Sequence, residues 1–221
     1  MLMLTEQLNE IYRLLYASYG SQHWWPASSG FEVIIGAVLT QNTNWGNVEK
    51  ALANLKKTGL LKPEKLRDIK IEKLAELIRP AGYFNIKANR LKNLVNWLFE
   101  NYQGCIENLD SAGTRRLRDE LLSVKGIGPE TADSILLYAL DRPVFVVDAY
   151  TARVMARHHL IEPPFDYEQL QELFASNLPQ DFKLFNEYHA LLVKVGKEHC
   201  KPKARCSGCP LEKLPHTIDE Q

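Results

Sequence analysis

The sequence lacks an apolar run long enough to cross a membrane, which argues against an integral membrane protein. It lacks net charge, since 27 Lys and Arg balance 27 Asp and Glu. That balance counts against a domain that is basic overall, as nucleic-acid binders often are, but leaves room for a local basic face. Repeats and low-complexity segments are absent. The start, Met1-Leu2-Met3-Leu4-Thr5-Glu6, has no basic n-region, so a cytoplasmic location is expected. Cysteine is scarce and uneven: Cys105 stands alone, while Cys200, Cys206 and Cys209 lie close together. In a cytoplasmic chain such a cluster suggests metal rather than a disulfide.

What the chain does have is helical periodicity. Phe31, Ile34, Ile35, Val38 and Leu39 follow it, as do Val48, Ala51, Leu52 and Leu55, with Thr43 as a cap ahead of them. Ile71, Leu74, Ala75 and Ile78 repeat the spacing, and Leu91, Leu94, Val95 and Leu98 continue it past the stop at Arg79-Pro80-Ala81-Gly82. Helices are also expected from Thr114, after Gly128, after Asp166 and around Phe185 to Val195. The one strand-like stretch, Val144-Phe145-Val146-Val147, has no partner and reads as a buried connector. The fold class is all-α. Two basic groups, Lys87/Arg90/Lys92 and Lys194/Lys197/Lys201/Lys203/Arg205, are either solvated faces or phosphate contacts.

"LLSVKGIGPETADSILLYAL", residues 121–140, interrupts this pattern. Gly126 and Gly128 both permit φ > 0, and Pro129 suits the first position of a new helix. The result is two helices joined by a tight turn. Its free N–H groups form an anion site without base preference, to which Lys125 adds charge. A plain helix connection would use the same residues.

Here the chain resembles the helix-hairpin-helix (HhH-GPD) DNA glycosylases of the endonuclease III superfamily. The resemblance rests on "VKGIGPETADSILLYALDRPVFVVDAYTARV", "GAVLTQNTNW" at 36–45, "AGYFNIKANRL" at 81–91 and the cysteine-rich tail, and spans residues 30 to 210. It implies a contiguous helical domain over 30–143 with the hairpin. A second domain would join 1–29 to 144–221 and carry the catalytic aspartate and cysteine loop, with DNA bound across a cleft between them. The implied partner is double-stranded DNA with a damaged base, met by a monomeric, nucleoid-associated enzyme. The resemblance assigns DNA contact to Gln41, Tyr83, Lys125, Gly126, Ile127, Gly128 and Thr131. Gln41 and Tyr83 would sit on the two loops that plug the helix once a nucleotide is flipped out.

Asp148 matches the family's catalytic aspartate. Its carboxylate would stabilise the cationic sugar and orient the attacking water, while also capping the helix that follows. Glu130 stands where endonuclease III has its Schiff-base lysine. A carboxylate cannot form that imine. The departure implies a monofunctional glycosylase, most similar to the 3-methyladenine DNA glycosylase III group. Glu130 itself is expected to act as an N-terminal helix carboxylate. In that group aromatics hold a cationic alkylated base, and Trp24, Trp25, Pro26 and Trp45 match the pocket positions. Tryptophans packed as core would look the same in sequence. Two other readings stand beside this one: an endonuclease III-like glycosylase for oxidised pyrimidines or mismatches, and a non-catalytic DNA-binding protein.

The tail, Cys200-x5-Cys206-x2-Cys209, has Pro215 where the family's [4Fe–4S] loop places a fourth cysteine, with His216 beside it. Three thiolates and His216 could hold a cluster or zinc, or the loop could be metal-free.

Overall fold

The computed structural model describes residues 3–218 of the 221-residue chain. Among these, eleven α-helices and two 3₁₀ turns account for the regular structure, and no strand is present. The Val144–Val147 stretch is a connector, with Phe145, Val146 and Val147 almost fully buried. The chain forms two compact units, one from residues 25–142 and the other from 1–24 together with 143–221.

The contiguous unit holds α2 (Gly30–Leu39), α3 (Trp45–Lys57), α4 (Pro63–Asp68), α5 (Ile71–Leu77), α6 (Phe84–Tyr102), α7 (Thr114–Ser123) and α8 (Pro129–Leu140). Helix α2 is buried from Phe31 to Leu39 and packs on α8, which is buried from Thr131 to Tyr138. Apolar residues on every side are what make a helix central. Two carboxylates sit inside this core, and each has a cationic partner. Lys56 Nζ lies 2.6 Å from Glu32, and Ser28 donates to the same carboxylate from N and Oγ. Burial raises the Glu32 pKa, but these partners outweigh it and hold the group below its ordinary value. Arg118 grips Asp133 with two bonds of 2.7 and 3.0 Å, clamping α7 to α8. Removing one side of such a pair costs roughly 3–5 kcal/mol.

Helix α3 is capped by Asn44, whose side chain accepts from Asn47 N, and not by Thr43 as the sequence suggests. Thr43 Oγ1 instead accepts from Asn47 Nδ2. The expectation for the Lys87/Arg90/Lys92 group also changes. It is neither a solvated face nor a phosphate face, because α6 crosses carbonyls that lack helical partners. Lys92 Nζ donates to the carbonyls of Leu66, Arg67 and Ile69 around the end of α4. Lys87 is 1% exposed and donates to Leu39 O and Ala81 O.

The other unit holds α1 (Leu4–Tyr19), α9 (Ala149–Arg157), α10 (Tyr167–Ala175) and α11 (Phe182–Glu198). Phe145 stacks on Phe174, and Phe185 and Tyr188 meet Phe145 edge-on. The buried Tyr188 hydroxyl donates to Leu8 O at 2.8 Å, which ties α1 to α11 across most of the sequence. Asp166 caps α10 in a capping box with Gln169. Helices α9 and α11 approach closely at Gly196, where a Cβ would lie 2.6 Å from Tyr150 Cδ1.

Candidate active site and nucleic-acid interface

Asp148 is the N-cap of α9. Its Oδ1 accepts from Thr151 N at 2.8 Å and Thr151 Oγ1 at 2.9 Å. Oδ2 lies 3.7 Å from His189 Nε2 on α11. Burial pushes the carboxyl pKa up; His189 and Thr151 outweigh that, and the net shift is downward from 3.8. The group is therefore a fixed anion at neutral pH, with one oxygen committed to the helix and the other facing a histidine. His189 did not emerge from the sequence motifs. Its signal was its position, four residues after Phe185 and three before Leu192, on the apolar stripe of α11.

The hairpin turns as its glycines allow, but they are not equivalent. Gly126 has φ 100, and a Cβ there would collide with Arg90 Cγ. Gly128 has φ −101 and caps α8, and a Cβ added to it would meet nothing within 4 Å. Of the two glycines that permit φ > 0, only Gly126 uses it. One left-handed residue reverses the chain, and extended backbone at Gly128 then leads into Pro129. Ile127 and Thr131 are both 5% exposed, so their side chains anchor the hairpin rather than face solvent. The Ile127 N–H is used on Val124 O. Lys125 and Glu130 are exposed.

Gln41 is half-buried against this hairpin. Its Nε2 donates to Gly126 O at 3.2 Å and to Thr131 Oγ1 at 2.9 Å, and Arg90 Nη1 donates to its Oε1. Asn42, next in that loop, is exposed and in left-handed conformation at φ 52. Tyr83 is also left-handed, at φ 44, and 66% exposed; Ile86, one turn on, is 52% exposed. A bulky residue held at positive φ is strained, and such strain collects at functional sites.

Trp25 meets Trp45 edge to face, with centroids 4.9 Å apart, and tilts on Tyr138 at 5.2 Å. Gly36 makes room for it, since a Cβ there would stand 3.1 Å from Trp25 Cζ2. Pro26 is exposed beside this cluster in sequence. Trp24 belongs to the other unit, where Lys197 Nζ lies 6.0 Å over its ring.

Cys200, Cys206, Cys209 and His216 line one pocket with Arg157, His158 and His199. Burial raises the Cys209 thiol pKa, and the neighbouring thiols add to the effect. Arg157 Nη1 reaches Cys200 Sγ at 3.4 Å and Lys201 O at 2.7 Å, while Nη2 reaches Pro202 O at 2.8 Å. Among the described residues no three of His, Cys, Asp and Glu are placed to hold a metal ion. Three thiols, a proline at the fourth position and a guanidinium on one sulfur do not fit a four-thiolate cluster.

The family profile described as "HhH-GPD superfamily base excision DNA repair protein" matches residues 35–180. The chain belongs to this superfamily. A Methanocaldococcus jannaschii protein, provisionally named a DNA repair glycosylase, is 49% identical over 95% of this chain and 96% of its own. Endonuclease III of Thermotoga maritima is 31% identical over 82% of this chain and 80% of its own. The H. pylori 3-methyladenine DNA glycosylase, solved with 1,N6-ethenoadenine bound, superposes with a TM-score of 0.77 at 33% identity. That match covers 89% of this chain and 98% of that one. The protein is a DNA glycosylase of base excision repair.

Proposed function

We propose that this glycosylase is monofunctional and removes an alkylated purine from double-stranded DNA by hydrolysis. The observation that carries the hydrolytic half is Glu130. The residue after Pro129 on α8 is an exposed carboxylate, which cannot attack the sugar as an amine would. Water is then the nucleophile. Asp148, an anion held by Thr151 and faced by His189, stabilises positive charge on the sugar as the base leaves. The substrate half is supported by the Trp25–Trp45–Tyr138 cluster, which suits a cationic base, and by likeness to the H. pylori enzyme.

In this reading the hairpin and Lys125 hold phosphates without reading sequence. The loops at Asn42 and Tyr83 enter the duplex as the nucleotide leaves it. The cysteine loop is a protein-only brace organised by Arg157. The test is a panel of duplexes, each with one lesion, assayed for free base and for strand breaks before and after alkali. Release of alkylated purines with breaks only after alkali is expected. Release of oxidised pyrimidines instead, or breaks without alkali that borohydride traps covalently, would overturn it.

A further inference from the structure

The buried amine of Lys87 lies outside the chemistry described above, yet it sits where two functional loops begin. Leu39 is the last residue of α2, and the loop carrying Gln41 and Asn42 begins one residue later, after the C-cap Thr40. Ala81 ends the 3₁₀ turn that precedes Gly82 and Tyr83. Lys87 Nζ donates to the carbonyls of both, at 2.9 Å to Leu39 and 2.7 Å to Ala81. One cation therefore closes the open ends of two separate helical elements, as a positive charge at a helix C-terminus does. Arg90, one turn along α6, holds the Gln41 side chain, and through it the hairpin. The residues just past these two carbonyls are the left-handed, exposed Asn42 and Tyr83.

We propose that Lys87 is a positioning residue for nucleotide extrusion, setting the separation of the Asn42 and Tyr83 loops by binding the carbonyl at the root of each. It touches no substrate. The proposal rests on the reading of the protein as a glycosylase that flips its target. Burial, with Arg90 nearby, lowers the Lys87 pKa to about 8, so the ammonium still predominates at neutral pH. A wedge and a plug that must enter one base-pair step together need a fixed spacing. Displacements of about 1 Å far from the reacting atoms can cost on the order of 100-fold in rate.

The experiment compares one lesion in two settings. A paired 1,N6-ethenoadenine or 7-methylguanine, whichever wild type releases faster, must be extruded. The same lesion in a one-nucleotide bulge is already unstacked, so extrusion is largely done beforehand. Lys87→Met is expected to slow release from the paired duplex by about 100-fold and to change release from the bulge little. Lys87→Gln keeps a donor and should fall between wild type and Met, which matters if the Met variant folds poorly. On a Tyr83→Gly background Lys87→Met should add less than it does alone, because both act on one loop. Equal losses on paired and bulged substrates for both variants would reduce Lys87 to a stabiliser of the fold and overturn the proposal. Wild type that releases the base from neither substrate would overturn the functional reading itself, and this inference with it.

Discussion

His189 Nε2 faces the carboxylate oxygen of Asp148 that Thr151 does not use, 3.7 Å away. Helix α11 thus supplies the other half of a site whose aspartate sits at the start of α9. The histidine and the threonine outweigh burial and keep Asp148 below its ordinary pKa.

His189→Phe should therefore move the acid limb of base release to higher pH. With the histidine gone, burial raises the Asp148 pKa, and the carboxylate is protonated earlier as pH falls. In the wild type the depressed pKa keeps the anion to below the ordinary aspartate range, and the stability it lends is full above that range and lost as pH falls from it through the folded-state pKa. The measurement is a pH profile of single-turnover release for both proteins. An unmoved acid limb would show that His189 does not act through Asp148.

The two hairpin glycines should respond differently to alanine. Gly126 has positive φ and backs onto Arg90, so Gly126→Ala strains the turn by ~1–2 kcal/mol and displaces the arginine that holds Gln41. Gly128→Ala meets open space at an ordinary φ and should leave the melting temperature nearly unchanged. Affinity for undamaged duplex should fall more for the Gly126 variant. The reverse order would mean the turn is not built as described.

The cysteine loop should hold neither iron nor zinc in stoichiometric amount, measured on anaerobically prepared protein. Arg157→Met should lower the melting temperature by loosening the carbonyls of Lys201 and Pro202. One cluster per chain, with visible absorption lost on Cys200→Ser, would show that the thiols rearrange to bind it.

Much of this was legible in the sequence because it is written in local spacing. The periodic runs of α2, α3, α5 and α6, the stop at Arg79–Gly82 and the cap at Asp166 each need only neighbouring residues. Asp148 could be found through its motif. The rest depends on partners distant in sequence. Nothing near Lys87 announces that it will be buried beneath the ends of two other elements. Two glycines in one turn look alike until Arg90 arrives behind one of them. His189 was visible as a polar residue on an apolar stripe, but its partner lies on another helix.

In the proposed reaction the charge that carries the hydrolysis is that of Asp148. Asp148→Asn preserves shape and removes the charge that opposes the sugar cation. Its direct test is single-turnover release of an alkylated purine by this variant, beside its affinity for an abasic duplex. Release at or near background, with abasic binding retained, is the expected result. Near-normal release by Asp148→Asn would contradict it.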